Sequence, residues 1–189
     1  TTLFVAGARL KYLGAMVALG LAAMPFMWQI LHGYQKQRLL VFLNPNIDPL
    51  GAGYTIIQSK IAIGSGGLFG KGWLSGTQSQ LNFLPERHTD FIFSVVGEEW
   101  GYIVAVGMVL SYLFIVRRAL TIASLTSDMY GKLIANGIAV MLAFQIIINI
   151  GMTIGLMPVV GIPLPLVSYG GSSVVATFLA VGLLLNISM

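Results

Sequence analysis

The chain has 189 residues, of which 57% are hydrophobic and 8% charged, with a formal net charge of +4 and no cysteine. A soluble domain carries about a quarter charged residues, so this chain cannot cover itself with a polar surface; an all-α, polytopic helical membrane protein is the economical reading. The basic side chains form no run, which argues against nucleic-acid binding, and the absence of cysteine excludes a disulfide framework and a thiolate metal site.

Residues 12–31 are the first apolar run, long enough at about 20 residues to cross the hydrocarbon core. Arg9 and Lys11 precede it. Pro25 can kink a membrane helix whose freed carbonyl finds another partner, and Trp28 suits an interfacial aromatic belt. Residues 33–89 form a long, largely polar connection, too long for a passive loop. Asn44-Pro45 and Asp48-Pro49 mark turns within it. At 54–63, Ile56, Ile57, Ile61 and Ile63 alternate with Gln58, Ser59 and Lys60 at roughly helical spacing, which predicts a short amphipathic helix on the membrane surface.

GSGGLFGKG at 64–72 resembles a phosphate-binding loop but fails at both ends: Ser65 stands where the first glycine belongs, and Gly72 where the hydroxyl belongs. No nucleotide is expected. The segment reads either as a flexible surface turn or as backbone that can approach a sugar or pyrophosphate.

Residues 91–116 are the second span and 133–156 the third. Asn136, Gln145 and Asn149 punctuate the third and are expected to bond between helices, while Gly151-x-x-x-Gly155 permits close packing. Residues 157–168 are a proline-rich turn, and 169–189 the fourth span. Together 1–189 read as a single membrane domain. Arg9, Lys11, Arg117, Arg118 and Lys132 fall on one side if two spans separate them, and the positive-inside rule makes that side cytoplasmic. The 33–89 connection and the 157–168 turn then both face outward.

Charge is scarce, yet four ionisable groups crowd into Glu86, Arg87, His88 and Asp90, at the mouth of the second span within FLPERHTDFIFSVVGEEWG at 83–101. Pro85 fixes its own φ and biases Leu84 away from helix. Thr89 or Asp90 is placed to cap the following helix, and Glu86 with Arg87 to form a solvated pair. Glu98 and Glu99 lie about 12 Å further along that helix and point about 100° apart. One is expected to line a polar cavity and the other to bond neighbouring helices.

LPERHTDFIF followed by GEEWG resembles the signature of the SEDS family (shape, elongation, division and sporulation proteins). So do DPLGAGYTIIQSKIAIGSGGLFGKGWLSGTQSQL at 48–81 and MPVVGIPLPLVSYGGSS at 157–173, in family order. GTQSQL and PERHTD are closer in wording to the rod-shape branch. The resemblance maps to the C-terminal half of the family fold, so the sequence is expected to be a fragment. It implies a peptidoglycan glycosyltransferase that polymerises lipid II into glycan strands on the outer face of the bacterial cytoplasmic membrane. It also implies a class B penicillin-binding protein as partner, besides membrane lipid.

In that reaction a sugar hydroxyl attacks the anomeric carbon of a second sugar, and a lipid pyrophosphate leaves. A hydroxyl needs a general base, and Asp90 is the expected one. The helix N-terminus is expected to hold its pKa down. The leaving group needs charge stabilisation rather than a proton. Arg87 and His88 are its nearest candidates, with Lys60 and Lys71 on the outer connection, and a divalent ion such as Mg or Mn on Asp90 and Glu86 is the other possibility. Glu98, Ser168 and Tyr169 are expected to complete the substrate site. Each of these has a plainer structural reading, in loop, ion pair or packing. Asn82 stands where division-type relatives often carry an acid, which bears on any two-carboxylate metal site. The alternative function is a flippase for the lipid-linked precursor, which would place the weight on Glu98, Glu99 and Asn149.

Overall fold

The computed structural model describes residue 7 and residues 9–44, 47–48, 51, 53–81, 83–84 and 86–188. The expectations for Asn82 and Pro85, for the prolines of the two predicted turns, and for the Trp28 side chain lie outside the described residues.

The described residues are helical and contain no strand. The helices are α1 (Leu10–Ile30), α2 (Gly33–Leu43), α3 (Tyr54–Ser65), α4 (Thr77–Gln80), α5 (Ile92–Leu125), α6 (Met129–Thr153) and α7 (Gly171–Ser188). Four of them, α1, α5, α6 and α7, are long and apolar enough to cross a membrane. The bounds differ from the sequence expectation mainly at α5, which runs nine residues past 116, and at α6, which begins four residues earlier and ends three earlier. The 33–89 connection is more helical than its polarity suggests, because α2 was hidden in a stretch rich in Gln, Lys and Arg.

The core forms where small residues let helices approach. Ala105, Tyr112, Ala119 and Ala123 of α5 meet Ala135, Ile138, Ala139, Leu142 and Ile146 of α6, and α7 adds Ala180 and Leu184. In lipid, close packing of this kind replaces the hydrophobic drive that water supplies elsewhere. Asp128 caps α6, its carboxylate accepting from Gly131 N at 2.7 Å, and so closes the short α5–α6 turn.

α3 does not lie loose on a surface. Its Ile56, Ser59 and Ala62 are buried, chiefly against α5. Ser59 Oγ lies 2.6 Å from Ser94 Oγ of α5 and donates to the Thr153 carbonyl of α6 at 2.6 Å. One buried hydroxyl thus ties three helices together, and the short helix expected at 54–63 is present with one face packed into the protein. In the third span, Asn136 Nδ2 and Gln145 Oε1 are buried without a partner among the described residues. The interhelical bonding expected of the three amides is realised only by Asn149, and to backbone.

α5 is broken at Gly101, which has φ 81° and ψ −178°. The break exposes carbonyls of the first half and amides of the second. The glycine-rich segment satisfies both. Lys71 N and Gly72 N donate to the Glu98 and Glu99 carbonyls at 3.0 Å each, while Tyr102 N and Ile103 N donate to the Gly67 and Leu68 carbonyls at 2.9 and 3.3 Å. Only glycine fits at the crossing. A Cβ on Gly66 would sit 2.0 Å from the Gly97 carbonyl oxygen, and one on Gly70 2.2 Å from that of Glu99. Part of the segment's backbone, at Gly67, Leu68, Lys71 and Gly72, is thus taken up in splicing α5.

Candidate active site

Residues 86–91 form a tight turn at the head of α5. The Glu86 carbonyl accepts from Thr89 N, Asp90 N and Phe91 N at 3.2, 3.1 and 3.3 Å, and Glu86 takes the left-handed φ of 52°. Neither Thr89 nor Asp90 caps the helix. The N-cap is Phe91, with no side-chain cap bond. The Thr89 hydroxyl instead reaches the Glu86 carbonyl and carboxylate, both at 3.2 Å.

Three successive carbonyls of this turn are each held from outside. Tyr169 N donates to the His88 carbonyl at 2.9 Å. Ser168 Oγ donates to the Thr89 carbonyl at 2.5 Å and accepts from Leu164 N at 2.7 Å. Asn149 Nδ2, from the buried face of α6, donates to the Asp90 carbonyl at 2.9 Å and to that of Ile162 at 2.7 Å. The turn is therefore fixed to the 157–170 segment and to α6 together. The Asp90 carboxylate is set beside Gly161, whose φ is 77° and where a Cβ would lie 3.2 Å from Oδ2.

Burial, and then the neighbouring Glu86 charge, push the Asp90 carboxyl above its ordinary value, with Thr89 opposing. This reverses the expectation of a depressed pKa: loss of water and a nearby carboxylate outweigh the helix N-terminus, whose first amides lie beyond Asp90.

The other predicted residues divide into two groups. His88 and Tyr169 are exposed and line a groove of about 600 Å³ with Ile92, Leu166 and Val174. Ser168 is buried and serves the turn. Lys71 and Glu98 are away from Asp90 and bond each other at 3.0 Å. Glu98 is fully buried and also accepts from Thr77 Oγ1, Gln78 N and Ser79 N at 3.2, 2.9 and 3.1 Å. Glu99 accepts from Ser79 Oγ and Gln80 Nε2, both at 3.4 Å. Both acids thus reach α4; Glu99 also lines a cavity with Trp73 and Trp100, while Glu98 bonds the neighbouring helix, the division expected from the sequence, with the cavity lying apart from Asp90. Arg87 joins the groups: its Nη1 donates to the Ser79 carbonyl and its Nε lies 3.1 Å from His88 Nε2. Lys60 stands apart, its chain lying over Gly155, whose φ of 76° and missing Cβ make the room.

Asp90 and Glu86 are the carboxylates available to a cation here; among the described residues no three His, Asp or Glu side chains cluster. Sequence reasoning missed the roles of Asn149, Gly161 and Ser79. Asn149 alone had a signal, as a buried amide in an apolar helix.

The family model described as cell cycle protein (FtsW, RodA, SpoVE) matches residues 1–189. The chain belongs to this family. It is 50% identical over 186 residues to peptidoglycan glycosyltransferase MrdB of Escherichia coli K12, covering 98% of this chain and 50% of that one. It is 49% identical over 179 residues to peptidoglycan glycosyltransferase RodA of Treponema pallidum, covering 95% and 41%. A solved structure described as coordination of polymerization and crosslinking by a peptidoglycan synthase complex matches with a TM-score of 0.77 at 38% identity, over 99% of this chain and 51% of that one. The chain thus spans about half the length of the curated family members it matches.

Proposed function

We propose that the protein is a RodA-like peptidoglycan glycosyltransferase acting on lipid II, with Asp90 as general base. The observation that carries this reading is the triple clamp on the 88–90 carbonyls, which presents one carboxylate of raised pKa at the head of a spanning helix. The activity borne by the relatives' names supports it.

An acceptor-sugar hydroxyl approaches the anomeric carbon of the donor from the side opposite the pyrophosphate. As the new C–O bond forms, its proton passes to the Asp90 carboxylate; the bond to the pyrophosphate oxygen breaks and its electron pair leaves with the lipid pyrophosphate. The anomeric centre inverts. A raised pKa strengthens Asp90 as a base, since efficiency peaks when the pKa nears the working pH. Arg87 and exposed His88 stand beside it for the pyrophosphate. The two oxygen-donor side chains also fit a hard divalent ion, which commonly takes one or two carboxylates and fills its shell from substrate phosphates and water. Bound to Asp90 and Glu86, Mg or Mn would neutralise charge on the leaving pyrophosphate.

The height of the site agrees with a lipid-linked substrate. After the break at Gly101, residues 102–125 of α5 give about 36 Å at 1.5 Å each, against a hydrocarbon core of about 30 Å. Counting back from Arg117, the unbroken stretch to residue 102 covers about 24 Å of that core, which brings the outer hydrocarbon edge close to the break. There Trp73 and Trp100, their rings tilted against each other with centroids 5.6 Å apart, suit an interfacial belt. Asp90, at the head of the segment before the break, then stands outside that edge, in the headgroup zone on the extracytoplasmic side of the bacterial inner membrane. A class B penicillin-binding protein is the proposed partner. The flippase alternative gains nothing from Glu98, Glu99 and Asn149, which hold α4 and backbone.

The test is to place the full-length protein in vesicles with lipid II and its transpeptidase partner. Glycan strands support the reading; precursor movement without strands favours the flippase.

A further inference from the structure

We infer that Glu98 is a positioning residue, which acts on the active site through α4 and Arg87 and does not touch substrate. The inference rests on the glycosyltransferase reading for its catalytic consequence, while its structural half stands alone.

Glu98 is 0% exposed, and its two oxygens are taken by four donors. Oε1 accepts from Lys71 Nζ, Thr77 Oγ1 and Gln78 N; Oε2 accepts from Ser79 N. Both oxygens are bonded and neither is exposed, so the carboxylate is not presented to a sugar. What the carboxylate does is fix α4, a single turn of four residues that could not persist alone. Lys71 also bonds Thr77 Oγ1, at 2.9 Å, so cation and anion hold the same end of the turn. Glu99 grips it from the side through Ser79 Oγ.

Ser79 is the transmitting residue. Its amide is bound to Glu98, and its carbonyl receives the Arg87 guanidinium. Arg87 in turn lies against His88, whose carbonyl is clamped by Tyr169 N at the groove. The series Lys71–Glu98–Ser79–Arg87–His88 therefore runs from the splice in α5 to the site without a gap. An arginine on a flexible stem loses rotamer entropy when fixed; here the Ser79 carbonyl fixes it in advance. Glu98 consequently sets where a guanidinium stands relative to Asp90, eight residues away along the chain.

The geometry accounts for a sequence feature the mechanism leaves over. GEEWG places two acids at the outer end of a membrane helix, where isolated charge is costly. Neither is catalytic. Glu98 instead bonds a cation and two amides at once.

The test uses the full-length protein with its partner, comparing native, Glu98→Gln, Lys71→Gln, Arg87→Ala, and each of the first two variants combined with Arg87→Ala. Hydrogen exchange of the peptide spanning 77–90 is read alongside strand synthesis from lipid II. Glu98→Gln replaces one accepting oxygen with a donor and removes the charge facing Lys71. It is expected to raise exchange in that peptide and to lower kcat roughly 10- to 100-fold with little change in KM. With Arg87→Ala already present, adding Glu98→Gln is expected to change kcat by no more than about two-fold, because its route to the site is gone. Lys71→Gln carries the same comparison should Glu98→Gln fail to fold. Equal losses from the Glu98 or Lys71 change with and without Arg87, or unchanged exchange at 77–90, would overturn the inference. Raised exchange in a protein whose native form makes no strands would leave Glu98's hold on α4 standing and remove the glycosyltransferase reading instead.

Discussion

Asn149 Nδ2 lies 2.9 Å from the carbonyl oxygen of Asp90, across 59 residues of sequence. The same nitrogen bonds the Ile162 carbonyl at 2.7 Å, so one amide on α6 joins the 86–91 turn to the proline-rich segment. Replacing it with Ala leaves two carbonyls without their donor. An unsatisfied buried group costs about 1–3 kcal/mol, so Asn149→Ala is expected to lower stability by about 2 kcal/mol or more and kcat at least about ten-fold. Thermal unfolding in detergent beside initial rates checks both. Unchanged stability would mean that water replaces the amide.

The pH profile follows from the direction of the Asp90 shift. A base works ionised, so kcat/KM rises as pH passes upward through its pKa. Burial and Glu86 hold that pKa above the ordinary 3.8. Glu86→Gln removes the second cause, and the acidic limb is expected to move to lower pH. A limb that moves up, or stays, contradicts the assignment of that limb to Asp90.

The splice in α5 allows a sharp stability test. Gly101→Ala puts a side chain at φ 81° with its Cβ 2.3 Å from Gly70 N. Backbone strain and collision with backbone together are expected to cost at least about 3 kcal/mol. Gly107 lies in the same helix with open space around it, and Gly107→Ala is expected to gain about 0.5–1 kcal/mol from helix propensity. Similar yields and melting points for the two variants would contradict the splice.

Ser59 tests the three-helix junction. Ser59→Ala withdraws the donor to the Thr153 carbonyl and the partner of Ser94. A loss of about 1–2 kcal/mol is expected. An unchanged melting temperature would show that α3 is held by its apolar contacts alone.

The spans were legible because about 20 apolar residues in a row have few other fates. Asp90 was legible from the crowding of charge before an apolar run. The break at Gly101 was not, since GEEWGYIVAV continues the helical apolar pattern on both sides, and the unusual φ belongs to a contact with residues 66–72 about 30 positions upstream. For the same reason the glycines at 66 and 70 read either as a surface turn or as backbone open to a ligand. Lys71 was read as a pyrophosphate candidate and Glu98 as part of the substrate site, and spacing alone could not tell that the two pair with each other. Asn149 carried a polar signal in an apolar helix, yet its partners, two backbone carbonyls on other segments, exist only in the fold.

Asp90→Asn tests the central claim most directly, in the full-length protein with its partner and purified lipid II. The folded-state pKa of Asp90 is raised, so its stabilising contribution is complete below the unfolded value and is lost as pH rises through the folded one. At pH 7 the ionised carboxylate is a cost to the fold, and the amide removes it. The account predicts a variant at least as stable as the native protein at pH 7 that makes no glycan strands. Strand synthesis at the native rate by a folded Asp90→Asn protein would contradict it.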